Sequence, residues 1–252
     1  MNNGHCFGHQ KLKVYNKSLH FLAVSDKLLK IISCKIAANG HLCRAAESIP
    51  RNIAYANSSW SPKERIINLG NANGSALECA ACLDVFVAKQ LLMRKDILTG
   101  KCLLREIVNM LIAIKKSAAD RIREYNVDEY VADQEVYFSH EKFDVYKNAL
   151  LFTGWIESIS EIFIDTSSES LYTNLDKVST GIVLNIAEGN GRFSSTDYKK
   201  FLNIAYKASI QASSLLDIVV SRDDSLYTGI RKDQKILCRI AHMITSLSHT
   251  IS

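Results

Sequence analysis

Apolar residues return every three or four positions along most of the chain. Val14, Ser18, Leu19, Leu22, Ser25, Leu28, Leu29 and Ile32 fall on one stripe at that step, which predicts a helix starting near Lys11. A second helix is expected over about Leu42 to Tyr55. Next, Ser61 before Pro62, with Glu64 three residues after the serine, reads as a capping box with proline at the first helical position, where its missing N–H costs nothing. From that start Ile66, Leu69, Gly70, Asn73, Leu77, Ala80, Ala81 and Val87 carry a long third helix. Leu103, Leu104, Ile107, Met110, Leu111 and Ile114 carry a fourth over Leu103 to Ile122. Pro50 lies inside the second stretch, where it deletes one backbone hydrogen bond and predicts a kink without a break.

The pattern then repeats. His9, Lys11, Val14, Tyr15, Leu19 and Phe21 have identical partners at His140, Lys142, Val145, Tyr146, Leu150 and Phe152. Further on, Asn52-Ile53-Ala54 with Asn57 matches Asn185-Ile186-Ala187 with Asn190, and the same register pairs Leu69 with Leu202, Ala72 with Ala205, Leu83 with Leu216, Asp84 with Asp217, Ile107 with Ile240 and Met110 with Met243. Ser194 and Asp197 repeat the helix-start signal, and Val183 stands where the first copy has Pro50. A diverged duplication follows, with units of roughly 9–124 and 140–252. Four helices per unit joined by short connections predict an all-α protein of two tandem up-down four-helix bundles: residues 1–126, a linker at 127–139, and residues 140–252.

Composition agrees. At 252 residues the chain exceeds the roughly 100–200 of one typical domain, and 2 prolines and 11 glycines are too few for an all-β protein rich in hairpins. No run of about 18 apolar residues occurs and the opening MNNGHCFGHQKLKV lacks a signal pattern, so a cytoplasmic protein without a membrane partner is expected. The odd count of 7 cysteines, six of them before residue 103, favours reduced thiols. Charge changes the picture more. Residues 1–126 hold 19 Lys and Arg against 9 Asp and Glu, and residues 127–252 hold 12 against 17, so the halves carry +10 and −5. A basic half can meet a polyanion, the acidic half of its own chain or that of a neighbour.

Basic residues of the first unit cluster at helix spacing: Arg44 and Arg51, then Lys63 and Arg65, Arg94, Lys95, Lys101 and Arg105, and last Lys115, Lys116, Arg121 and Arg123. Aromatics are sparse among them, so phosphate contact without base stacking is the expected mode. A solvated face, with cations favoured near helix C-termini, is the alternative for Lys115 to Arg123. In the second unit Arg192, Lys199 and Lys200 flank Glu188-Gly189-Asn190-Gly191-Arg192, which can be read as a phosphate-cradling loop before a helix N-terminus. The favoured reading is instead a left-handed C-cap at Gly189 or Gly191, with Arg192 paired to a nearby carboxylate. Cys79-Ala-Ala-Cys82, with His41 and Cys43, has metal-like spacing, but its mid-helix place favours buried apolar roles. His9 and His140 precede the first helix of each unit. No nucleophilic triad, paired-carboxylate site or cofactor motif is evident, and neither an enzyme nor a cofactor is expected.

The run Ser179-Thr-Gly-Ile-Val-Leu-Asn185-Ile-Ala-Glu188-Gly189-Asn190-Gly191-Arg192, with the Ser194–Asp197 cap, the helix from Phe201 to Asp217 and Phe143-Asp-Val-Tyr146, resembles the signature of the small four-helix-bundle proteins encoded in 23S rRNA intervening sequences. That family also includes the accessory variability determinant of diversity-generating retroelements. The resemblance is closer in the second unit: in the first, Tyr55 and Ala56 replace the Glu and Gly, and Trp60 stands where the second has Phe193. It implies basic, ring-forming, non-catalytic bundles, with rings of five subunits, and partners among RNA or RNA/DNA hybrid and a reverse transcriptase. The combined expectation is RNA binding or reverse-transcriptase accessory work through the basic bundle. A structural homo-oligomer or pseudo-oligomer, held by charge-complementary bundle contacts, is the alternative.

Overall fold

Helical periodicity without strand-forming alternation gives eight α-helices and four short 3-10 turns among the described residues, and no strand. The computed structural model describes residues 7–119, 137–163, 169–222 and 224–251. The first unit comprises α1 (Lys13–Leu29), α2 (Ala37–Ser58), α3 (Pro62–Ala88) and α4 (Arg94–Ala119); the second comprises α5 (Asp144–Ser158), α6 (Glu169–Asn190), α7 (Ser195–Arg222) and α8 (Tyr227–Thr250). In each unit every helix packs on the next and the last closes on the first, which makes two four-helix bundles. Phe21, Leu42, Ile49, Leu83 and Leu104 fill one core, and Phe152, Leu175, Ile182, Leu216 and Ile240 the other, all without solvent contact or nearly so. The duplication extends to ring geometry. Phe7, His9 and Tyr15 stack and tilt with centroids 5.8 and 4.8 Å apart, and Phe138, His140 and Tyr146 do the same at 5.8 and 4.7 Å.

Several local expectations need correction. α1 begins at Lys13, because residues 8–11 form a 3-10 turn and Leu12 is extended. The second helix starts at Ala37, well before Leu42: the carboxylate of Asp176, in the other unit, accepts the Ala37 N–H at 2.8 Å and caps the additional turn. α4 begins at Arg94, not Leu103, and the Asp96 carboxylate accepts the Met93 N–H at 2.9 Å. Ser61 is the N-cap and Pro62 the first helical residue, but the Ser61 side chain makes no capping bond, so the capping box does not form. Its repeat forms half of one: Ser194 Oγ accepts the Asp197 N–H at 3.4 Å. α2 runs through Pro50, which is buried. Neither Gly189 nor Gly191 is a left-handed cap, since no described glycine has positive φ.

The two bundles meet in an extensive seam, with α3 and α2 of the first laid on α5 and α6 of the second. Opposite charge is used there. Lys89, wholly buried, places its ammonium 2.7 Å from Glu157 and 2.8 Å from Asp176. Lys101, on α4, reaches Asp84 at 2.7 Å and Glu141 at 2.6 Å, and Tyr146 donates its hydroxyl to Asp84 at 2.8 Å. Glycines let the backbones close. A Cβ on Gly154 would lie 2.6 Å from the Ala88 carbonyl oxygen, and one on Gly191 would lie 2.9 Å from Gly74 Cα. Tyr137 and Phe138 take part: Lys101 Nζ lies 5.7 and 5.3 Å from their ring centroids, and Arg105 is 5.5 Å from that of Tyr137.

A candidate nucleic-acid interface

α2 and α3 run antiparallel and are zipped by small polar side chains, Ser48 to Ser75 at 2.9 Å and Asn68 to Ser59 at 3.2 Å. Where α6 crosses them, a cleft of about 350 Å³ opens, with Asn52 and Asn71 in its walls. Three of the arginines singled out from sequence line it, Arg44 and Arg51 from the first unit and Arg192 from the second. Arg192 is fixed by three neighbours: one terminal nitrogen pairs with Glu188, the other donates to Asn71 Oδ1, and the guanidinium lies 4.6 Å from the Phe201 ring centroid. Arg44 and Arg51 are exposed and carry no ion pair among the described residues. The cleft also holds acid. Burial, helped by Glu78, raises the Glu188 carboxyl above its ordinary range against the pull of Arg192, and His41 meets Glu78 at 3.0 Å.

Other basic positions gather toward the Pro62 end of α3. Phe193 rests against Gly70, and Lys115 holds its ammonium 4.2 Å from the Phe193 ring centroid, so the close of α4, the opening of α3 and the turn from α6 to α7 are neighbours. Lys63 and Arg65 lie exposed in the first turns of α3, Lys116 is exposed beside Lys115, and Lys199 and Lys200 are exposed just after Tyr198, whose ring packs on Gly189. Arg121 and Arg123 lie outside the described residues. The middle of the sequence cluster does not join this end. Arg94 and Lys95 open α4 at the far end, and Lys101 is buried in the seam.

Metal chemistry has one geometric candidate among the described residues. Asp84, His140 and Glu141 offer ligand atoms within 4.8 Å of one another. The Lys101 ammonium already sits between the two carboxylates. Burial works against its charge, but Asp84 and Glu141 outweigh burial and raise its pKa. Burial raises Glu141 even so, and Lys101, shared by two carboxylates, remains the charged partner. Cys79 and Cys82 are enclosed in α3, where burial, with Glu78 adding to it, pushes both thiols up, away from the reactive thiolate form.

The fold and the junction cleft define a class: a fused tandem pair of four-helix bundles whose copies dock side against side. The chain belongs to the family of 23S rRNA-intervening sequence proteins, which matches residues 10–113 and again residues 141–246. The two matches are offset by 131 and 133 residues at their ends, the two registers of the internal repeat. No curated relative and no solved structure matches the chain. No helix among the described residues is long and apolar enough to cross a membrane.

Proposed function

We propose that this protein is a non-catalytic RNA-binding protein, acting on RNA or an RNA/DNA hybrid as an accessory to a reverse transcriptase, and that the basic end of the first bundle is its contact surface. The observation that carries the reading is the convergence of Arg44, Arg51 and Arg192 on one cleft, with Lys63, Arg65, Lys115, Lys116, Lys199 and Lys200 emerging from the helix ends around it. Apart from Arg192, which pairs with Glu188, these cations have no carboxylate partner among the described residues; such cations suit phosphate oxygens, and such binding weakens steeply with salt. The test is binding of the full chain to a structured RNA across a salt series. Affinity should fall by orders of magnitude as salt rises, and charge reversal of Arg44, Arg51, Lys115 and Lys116 together should weaken it at least about tenfold and flatten the salt slope. An unchanged affinity in that variant overturns the reading.

A second reading, structural self-assembly through charge-complementary bundle contacts, has its own support. α7 leaves Ile204, Tyr206, Ile210 and Ile218 exposed, apolar surface that another copy could cover. Light scattering decides it: a salt-insensitive monomer removes this reading.

A further inference from the structure

Resting on the RNA-binding reading, we infer that the exposed stripe of α2 leading out of the cleft takes an unpaired stretch of nucleic acid, its bases stacking on Trp60 and Tyr55 while its phosphates pass Arg51 toward Arg44. Four residues on α2, namely Arg44, Ser48, Arg51 and Tyr55, are spaced four, three and four apart and so form one stripe. Its cleft end is polar and cationic, and its other end is aromatic: Tyr55 is 54% exposed, and beyond it Trp60 is 100% exposed. Lys63 and Arg65 follow at once on α3, both exposed, and neither has an ion pair among the described residues; the adjoining Glu64 is exposed, as is Glu47 on α2.

The turn that presents Trp60 is anchored. Ser58 and Ser59 donate their hydroxyls to the Tyr55 carbonyl at 3.1 and 2.8 Å, and Asn68 of α3 donates to Ser59 Oγ. An indole held fully in water on a fixed turn, amid unpaired cations, is suited to a flat apolar ligand that carries negative charge. A nucleobase on a phosphate backbone fits that description, and stacking on aromatics is how proteins hold single strands. A duplex keeps its base faces covered and cannot use the ring.

A second copy is the other candidate occupant, because Phe193, at the matching position of the second unit, is tucked into the seam against Gly70. The seam does not transfer to the outer faces. Its tightest approach, Gly154 on the Ala88 carbonyl, becomes Ala23 against Ser221, and Gly191 on Gly74 becomes Ser58 against Lys207, so Cβ atoms stand where backbones must touch. The observations therefore favour nucleotide over copy.

The experiment uses the full chain with Trp155→Phe, which leaves Trp60 as the only tryptophan of the 2 present. A 12-mer of oligouridylate and a blunt 12-base-pair RNA duplex serve as probes at low salt, read by Trp60 fluorescence and by anisotropy of a labelled probe. Quenching by the single strand and not by the duplex is expected. Trp60→Ala, made in the wild-type background, should weaken single-strand binding about five- to a hundredfold, with duplex binding unchanged and Trp60→Phe restoring most of it. Equal binding of both probes with unmoved Trp60 emission overturns the inference and leaves RNA binding standing. Failure of both probes to bind removes the RNA reading and the inference together. Trp60 emission that shifts blue with protein concentration alone, alongside oligomers in light scattering, assigns the ring to a second copy and also overturns it.

Discussion

The face of α3 and α4 that enters the seam and the matching face of α7 and α8 on the outside descend from one pattern and differ at the positions that decide docking. Asp84 and Asp217 occupy equivalent places. Asp84 accepts from buried Tyr146 and pairs with buried Lys101, whereas Asp217 stays half-exposed, paired with Arg231 at 2.6 Å and accepting from Gln234 at 3.1 Å. Gly74, which admits the backbone of Gly191, corresponds to Lys207; Leu77 corresponds to Ile210, which is exposed. A buried cation and a glycine are tolerable only where a neighbour supplies carboxylates and backbone to meet them. Their presence on one copy and loss on the other marks which face has a permanent partner.

The sharpest way to break this comparison is to remove the buried cation. Lys101→Met leaves Asp84 and Glu141 facing each other without a counter-charge and should cost about 3–5 kcal/mol. Gln234→Met, at the matching position, gives up hydrogen bonds to Ser213 and Asp217 and should cost about 1 kcal/mol. Urea denaturation of the two variants measures both, and equal losses would contradict the assignment of the seam.

A smaller effect separates two mid-helix glycines. Gly154→Ala pushes a methyl against the Ala88 carbonyl and should destabilise by about 1–3 kcal/mol. Gly181→Ala meets nothing within 4 Å and should stabilise by about 0.5–1 kcal/mol, because alanine loses less backbone entropy in a helix. Opposite signs on denaturation are the expected result.

The gentlest probe is pH. His140 is fully enclosed between Phe138 and Tyr146, with neither ring nitrogen hydrogen-bonded. Burial, then the nearby Lys101 charge, pushes its pKa well below the ordinary 6.5. The unfolded chain takes up a proton near that ordinary value while the native protein refuses it. Stability is therefore level above about pH 6.5 and declines below it, by up to about 1.4 kcal/mol per pH unit from this residue. His140→Phe should flatten that part of the stability curve; an unaltered slope would show that His140 is not its source.

Much of this protein is written locally. A step of three and four predicts each helix from its own residues, and the duplication is legible because the same stripe recurs with Val14 and Val145, Phe21 and Phe152, and Leu69 and Leu202 in matching buried places. The arginines of the site were legible as cations but not as a group. Arg192 is far from Arg44 and Arg51 in sequence, and only the crossing of α6 over α2 and α3 brings them to one cleft. Lys101 reads from the sequence as one more cation of the basic cluster, since nothing in its neighbourhood along the chain reports the carboxylate of Glu141 above it. Aromatics are sparse among the basic residues of the first unit, and nothing local reports that Trp60 and Tyr55 are exposed, because their exposure depends on an anchored turn. Gly191 signalled a left-handed cap, yet it answers a steric demand set by Gly74 on the other bundle.

The all-α class, the two units, the helix faces and the opposite charge of the halves follow from the pattern along the chain, because periodicity and composition are properties of neighbouring residues. Tertiary structure alone decided which face of each bundle is covered, which charges are buried, where α2 begins and which cations share a cleft. Those outcomes depend on side chains from separate units arriving within a few ångströms of each other, and only the packed seam sets that distance.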